Sequence, residues 1–351
     1  MAKRALLLIT DLELGGMPTV VRELASRLRD EVEVACLAPW GPVADQIRDG
    51  GVEVTALGAT GPADVAVIGR LIHLIRARRF ETVLSFLVHA NTVAAISSWF
   101  CPEVRFIQSI HTAQPYPKWH WIVQGIVYHF AHKVIVPSQS VANVLHDWSA
   151  VPWDKVQIIP NGQSMVEIAP QRVLFRPQIV VGFLGRLDPI KRLTDLVRAM
   201  TFLDDRFELN IFGEGQDRTN IEREITQLGL ANRVKLFGAT DKPQSAIETM
   251  DLLVLCSQAE GFGLALTEAM AAGVPVIGTD VPGIRDVIRH EETGLLVPVG
   301  EPGKLARAIE RMASSESMRK QLIENALIDV RRRYDWNVVL PQYRRILGLD
   351  D

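Results

Sequence analysis

Short apolar runs alternate with helix-length amphipathic segments along the whole chain, and this alternation restricts the fold more than any other feature. Residues 4–10 (RALLLIT), 32–38, 52–57, 82–87, 104–110, 133–137 and 156–160 read as strands. Helical patterns lie between them, as at 18–29 (PTVVRELASRLR) and 64–79 (DVAVIGRLIHLIRARR). A β-α-β-α rhythm predicts a parallel sheet with helices on both faces.

The rhythm lapses at 163–178 and then restarts. Strands are expected at 179–185, 207–212, 233–237, 251–256 and 274–277, and helices near 192–203, 215–229, 263–272, 302–314 and 316–333. At 351 residues the chain has room for roughly two domains. The expected fold class is α/β, with two doubly wound parallel-sheet domains, 1–165 and 166–335, joined by a linker at 163–178. A single large sheet with one long loop is the alternative, and a structureless loop of that length is uncommon inside a compact domain.

Hydrophobic residues make up 48% and charged residues 23% of the chain, the balance of a folded globular protein. With 38 basic against 41 acidic residues and a net charge of −3, no segment is basic enough to make nucleic acid the main partner. Cys36, Cys101 and Cys256 lie far apart without zinc-type spacing, which suits a reducing, cytoplasmic setting. Lys3 and Arg4 precede an apolar run too short for a signal peptide, so that run is read as a buried first strand. No apolar run approaches the ~18 residues of a membrane span.

In an open parallel sheet, ligands bind at the carboxyl ends of strands near the point where strand order reverses. Loops directly after strands are therefore the places to search. The stretch CSQAEGFGLALTEAMAAGVPVIGTD (Cys256–Asp280) follows one such strand. Gly261, Phe262 and Gly263 form a turn whose backbone can approach a ligand, and the helix start near Leu264 offers free N–H groups to an anion. Glu260 and Glu268 bracket that turn. As acceptor-only groups they would repel phosphate but suit sugar or ribose hydroxyls. An N-cap acid and a surface helix glutamate are the plain alternative for either residue alone.

In GFLGRLDPIKR (Gly182–Arg192), Gly185 and Arg186 end a strand, and Lys191 follows at a predicted helix start. Two cations there can neutralise a diphosphate leaving group without a metal; solvated charges on a helix cap are the alternative. Gly15 and Gly16 follow the first strand, with Pro18 a favoured first helical residue, but no Gly-x-Gly-x-x-Gly fingerprint is present. His111 follows the strand at 104–110, in a loop assigned with Gln108, Thr112 and Gln114. In FGEGQDR (Phe212–Arg218), Gly213 and Gly215 flank Glu214 and could receive a nucleoside against the backbone. Asp11-Leu12-Glu13 has an acid-x-acid form, read here as loop polarity, and no metal site is assigned. The aromatic stretch YPKWHWIVQGIVYHF (Tyr116–Phe130) reads either as a bulky core helix with a loop or as a surface for a lipid-linked acceptor or membrane.

Taken together, these motifs resemble the retaining glycosyltransferases of family 4 (glycosyl transferases group 1), which have the GT-B fold of two Rossmann-like domains facing across a cleft. The resemblance covers nearly the full length and is strongest from GFLGRLDPIKR through EGFGLALTEAMAAGVPVIGTDVPGIRDVI to TGLLVP (Thr293–Pro298). It implies that Arg186 and Lys191 hold the donor's diphosphate, that Glu260 binds a hydroxyl of the transferred sugar and that Glu268 binds the ribose. Gly185, Gly213, Gly261, Phe262, Gly263 and Leu264 would line the donor site, with Gly15 and Gly16 approaching from the acceptor-side domain. His111 would stand near the reacting sugar, and a last helix within 336–351 would pack back on the N-terminal domain. The chain departs from the family at Pro18-Thr19, where Glu-Arg is frequent, at Gln163-Ser164, where an aspartate often follows IPNG, and at Arg192, where glycine is common.

The resemblance implies a metal-independent hexosyltransferase that moves a sugar from a UDP- or GDP-linked donor to an acceptor hydroxyl with retention, in polysaccharide, glycolipid or small-molecule glycoside synthesis. No separate cofactor is expected, because the nucleotide-sugar is a substrate. The acceptor class includes lipid-linked saccharides, and a weak peripheral contact at the inner face of the membrane is considered. Rivals are an epimerase of the same two-domain type, a catalytically idle sugar-nucleotide-binding subunit and a nicotinamide dehydrogenase.

Overall fold

A computed structural model describes residues 5–61, 63–165 and 178–350. Of the expected linker at 163–178, residues 166–177 lie outside the described residues. The chain divides into two compact units, Met1–Gly162 with Asn337–Asp351, and Gln163–Trp336.

In the first unit the strands are β1 (Ala5–Ile9), β2 (Val32–Cys36), β3 (Val54–Ala56), β4 (Thr82–Phe86), β5 (Arg105–Ser109), β6 (Lys133–Val136) and β7 (Val156–Ile158). They form one parallel sheet in the order β3-β2-β1-β4-β5-β6-β7. Every residue of β1 and β4 is buried, and the two strands pair in register from Ala5 opposite Thr82 to Ile9 opposite Phe86. A strand covered by helices on both faces has no polar face to alternate with, which explains its unbroken apolar run.

The second unit holds β8 (Ile179–Leu184), β9 (Phe207–Phe212), β10 (Val234–Gly238), β11 (Leu252–Leu255), β12 (Val276–Thr279) and β13 (Leu295–Val297). Their order is β10-β9-β8-β11-β12-β13, again all parallel. The sequence reading had no strand at β13, because a three-residue run beside a glycine carries too little periodicity. In both sheets the order reverses once, between β1 and β4 and between β8 and β11. Those two places are where a doubly wound sheet opens a crevice at its carboxyl edge.

Helices cover each sheet by amphipathic spacing. The helix Pro302–Ser314, for example, turns Leu305, Ala306, Ile309, Met312 and Ala313 into the second core. The last helix, Trp336–Leu347, is tied into the first unit. Arg344 makes a two-pronged ion pair with Glu31 (2.5 and 2.9 Å), while Thr82 Oγ1 and Arg105 Nη2 donate to the carbonyls of Leu347 and Ile346. Among the described residues, no helix is long and apolar enough to cross a membrane.

One buried polar cluster joins the strands β4 and β5 to the helices Val88–Ser98 and Trp119–Val127. Ser85 Oγ donates to Asn91 Oδ1 (2.7 Å), and Asn91 Nδ2 donates to the Ser109 carbonyl and to Gln124 Oε1 (3.3 Å each). Gln124 Nε2 donates to Gln108 Oε1 (2.7 Å), and Gln108 Nε2 to the Val127 carbonyl (2.8 Å). Truncation of Asn91 would strand several of these groups away from water. Asn91→Ala is expected to cost about 3 kcal/mol and to lower the melting midpoint of this unit by roughly 5–10 °C. Calorimetry checks it, and an unchanged midpoint would show that the cluster contributes nothing to stability.

Candidate active site

Beyond Leu184, the chain crosses from β8 to its helix over Gly185–Arg192, and the loop after β9 runs against it. A Cβ at Gly213 would lie 1.9 Å from the Gly185 carbonyl oxygen, so only glycine permits this approach. Leu187 N–H donates to the Glu214 carbonyl (2.8 Å), and Asp217 N–H to the Leu187 carbonyl (3.0 Å), fastening the two loops. Asp188 then caps a single 3-10 turn, Pro189–Lys191, by accepting from Ile190 N–H at 3.2 Å. The α-helix expected near 192–203 begins at Leu193. Just before it, Arg192 takes a left-handed backbone (φ 49°), at the position named above as a departure from the family's glycine. That conformation costs a side-chain-bearing residue roughly 1–2 kcal/mol. It is offset by the Arg192 guanidinium, which grips buried Asp195 at 2.6 Å.

The two cation and carboxylate motifs of the sequence meet here. Lys191 Nζ forms an ion pair with Glu260 Oε2, and both side chains are only 14% exposed. Ser257 Oγ donates to the same carboxylate oxygen at 3.2 Å. Gln258 N–H donates to the Ile190 carbonyl (2.8 Å), and the Cys256 thiol lies 3.2 Å from the Lys191 carbonyl, so the loops after β8 and β11 are held together. Burial pushes the Cys256 thiol up to about 12, which leaves it a hydrogen-bond donor rather than a nucleophile. Arg186 behaves differently. It is 64% exposed and lies 3.7 Å from Asp188, so the structure does not group it with Lys191 in one closed cluster.

Gly261, Phe262 and Gly263 are all buried at the start of the helix Leu264–Ala271. The Phe262 ring is wedged edge-on against Tyr334 (centroids 5.2 Å apart) and serves packing. The turn also depends on a residue that sequence reading missed: a Cβ at Gly283 would lie 1.9 Å from the Glu260 carbonyl. Its neighbour Pro282 signalled a turn, but nothing local signalled the distant carbonyl. Along the helix only Leu264 and Glu268 are incompletely buried, and their spacing of four puts them on one stripe. Gln163, at one of the departures from the family, donates from Nε2 to Thr267 Oγ1 on this helix (2.8 Å) and thereby anchors it.

In the first unit, Gly15 and Gly16 are exposed, and the helix Gly16–Arg27 starts two residues earlier than predicted. Pro18 fits because its missing N–H falls in the first turn, where no intrahelical partner exists. The Asp11 carboxylate accepts from Glu13 N–H at 3.2 Å and so shapes the turn after β1. His111 follows β5 with Nε2 at 2.7 Å from Ser109 Oγ, while Nδ1 is enclosed without a protein hydrogen-bond partner. Burial pushes the imidazole down to about 3, so it is neutral at physiological pH. Gln108, assigned from the sequence to the same loop, is an interior β5 residue whose amide bonds Gln124 and Val127.

Two doubly wound parallel-sheet units define the class, a protein of GT-B fold. The pattern of glycosyl transferases group 1 matches residues 166–328, and that of glycosyltransferase family 4 matches residues 14–164. The phosphatidyl-myo-inositol mannosyltransferase of Mycobacterium leprae is 30% identical over 95% of this chain and 92% of its own length. An uncharacterized glycosyltransferase of Methanocaldococcus jannaschii is 31% identical over 60% of this chain and 58% of its own. The crystal structure of Anabaena HepE in complex with UDP and glucose superposes with a TM-score of 0.89 over 98% of this chain and 99% of that one, at 21% identity. The chain belongs to glycosyl transferases group 1 and is a glycosyltransferase.

The depressed imidazole has a measurable consequence. Below about pH 6.5 an unfolded chain protonates this histidine while the folded one does not, so its stabilising contribution is present above that pH and is lost as pH falls toward 3. In a histidine NMR titration of the folded protein, the His111 ring shifts should stay flat between about pH 7 and pH 5. A full titration step in that window would show that the ring is solvated.

Proposed function

We propose that this glycosyltransferase moves a hexose from a UDP- or GDP-linked donor to an acceptor hydroxyl, with retention and without a metal. The observation that carries the reading is the Lys191–Glu260 pair, held between the loops after β8 and β11 at the reversal of strand order. A cation there can exchange its carboxylate partner for a donor phosphate, and the released carboxylate can accept from a sugar hydroxyl. Arg186 extends into solvent and adds a second charge for the diphosphate. Glu268 shares the helix stripe of Leu264 and serves the ribose, while Gly185, Gly213, Gly261 and Gly263 bring backbone close to the donor. On the first unit, Gly15, Gly16 and neutral His111 serve the donor sugar and its acceptor.

In the reaction the acceptor oxygen bonds to the anomeric carbon as the bond to the diphosphate oxygen breaks. The acceptor proton passes to that leaving oxygen on the same face. Positive charge at Lys191 and Arg186 is most valuable as the leaving diphosphate gains negative charge. The Anabaena neighbour was crystallised with UDP and glucose, and the mycobacterial relative is a phosphatidyl-myo-inositol mannosyltransferase, which supports a nucleotide-sugar donor and a lipid-linked acceptor class for this chain. We place the reaction in the cytoplasm, at the inner face of the membrane.

A panel of nucleotide-sugars, scored by thermal stabilisation and then by transfer, identifies the donor. With that donor, transfer is expected to persist in excess chelator, and Lys191→Ala should reduce it about a hundredfold or more with an unchanged circular dichroism spectrum. Loss of wild-type activity in chelator with rescue by manganese, or an undiminished Lys191→Ala enzyme, would overturn the reading.

The two glutamates separate by calorimetric titration of the product nucleotide. Glu268→Gln should weaken the nucleotide by about 1–3 kcal/mol, the worth of hydrogen bonds to a charged group. Glu260→Gln should slow transfer yet leave nucleotide binding unchanged or tighter, because it frees Lys191 from its anionic partner. Equal weakening by both substitutions would refute the division of roles.

A further inference from the structure

The helix Trp119–Val127 buries one face and leaves the other bare. Trp121, Gln124 and Val127 turn inward, while Trp119, Ile122 (65% exposed) and Ile126 face solvent at helical spacing. Beside it the helix Val88–Ser98 presents His89 and Ile96 along its own outer stripe and leads into Trp99 (71% exposed) and Phe100. Ring contacts tie the two stripes at both ends. His89 meets Trp119 at 5.8 Å and His120 at 5.9 Å, and Trp99 meets Phe130 at 5.6 Å. Four tryptophans or phenylalanines and three isoleucines therefore share one outer surface, and an apolar patch of that kind calls for a partner.

Charge selects that partner. From residue 82 to residue 146 the sequence contains a single acid, Glu103, against Arg105, Lys118 and Lys133. Lys118 lies over the exposed Tyr116 ring (5.9 Å), and Arg76 donates to the Phe100 carbonyl (2.6 Å), which puts cations on the rim of the patch. Tryptophan and isoleucine on one face, with Lys118 and Arg76 on its rim against the single acid Glu103, is the composition of a surface that settles into the interface of an anionic bilayer.

We propose that the outer faces of Val88–Ser98 and Trp119–Val127, with Trp99, Phe100 and Phe130, form the surface by which this protein docks on an anionic lipid bilayer. Trp119, Ile122, Ile126 and Trp99 enter the headgroup and acyl boundary, and Lys118 meets lipid phosphates. This deepens the membrane-face reading above but does not depend on the chemistry assigned to Lys191.

The full chain is tested by flotation with vesicles of phosphatidylcholine alone and of phosphatidylcholine with phosphatidylglycerol. It should float with the anionic vesicles and remain behind with the neutral ones. The triple substitution Trp119→Ser, Ile122→Ser and Ile126→Ser should reduce flotation at least about tenfold while leaving product-nucleotide binding intact. As a check that does not depend on that variant folding, vesicles with brominated acyl chains should quench wild-type tryptophan emission, and Trp99→Phe with Trp119→Phe should remove most of the quenching. Flotation unaffected by the triple substitution, equal partition to neutral vesicles, or no flotation at all would overturn the proposal. So would a dimer in sedimentation that the triple substitution dissociates, which would assign the face to a second copy of the chain. If flotation fails while Lys191→Ala still abolishes transfer, the docking surface is wrong and the transferase reading stands.

Discussion

Parallel pairing is the constraint from which the rest of this structure follows. Every strand pair in both sheets is parallel, so each strand must be followed by a crossover and all strand ends of one kind gather on one edge. The loops at the carboxyl edge are thereby brought together although they are far apart in sequence. Lys191 and Glu260 are 69 residues apart yet in contact, because β8 and β11 are neighbours and both loops leave the same edge. No local interaction could have produced that juxtaposition.

The Lys191–Glu260 pair sets the electrostatic terms of the site. Two largely buried charges are tolerable because each neutralises the other and Ser257 supplies a further hydrogen bond. Removing one partner leaves an uncompensated charge, which is generally more costly than the pair itself is worth. A ligand that takes over Lys191 must therefore bring its own anion and also satisfy Glu260 with donors. Phosphate and hydroxyl groups on one molecule meet both demands, whereas a simple anion meets only the first.

How much of this was legible in the sequence depended on whether the signal was local. Buried strands such as Ala5–Ile9 and Thr82–Phe86 stood out as unbroken apolar runs, and long amphipathic helices such as Pro302–Ser314 and Trp336–Leu347 kept their periodicity. The loops bearing Lys191 and Glu260 could be located because they follow strands. What escaped was set by distant contacts or by single residues in unusual conformations. Gly283 matters because it lies under the Glu260 carbonyl, Gln163 because it reaches Thr267, and Arg192 because it takes a left-handed backbone just before the helix at Leu193. Gln108 lay within the predicted strand 104–110 yet was also grouped with the polar loop after it, and only the amides packed against it make its burial possible. The stretch Tyr116–Phe130 was open to two readings because its composition is apolar all round; packing divides it into an inner and an outer face.

The buried amide cluster behind β5 has a direction. Ser85 donates a hydrogen bond to Asn91, Asn91 to Gln124 and to the Ser109 carbonyl, Gln124 to Gln108, and Gln108 to the Val127 carbonyl. Each amide has one orientation that satisfies its neighbours, so the sequence of donors cannot run backwards or slip by one partner. The helix Trp119–Val127 is thus keyed to the strand end that carries His111, through side chains that have no second arrangement of equal energy. The place of that helix beside His111 is therefore set by a chain of directed partners and not by apolar contact alone.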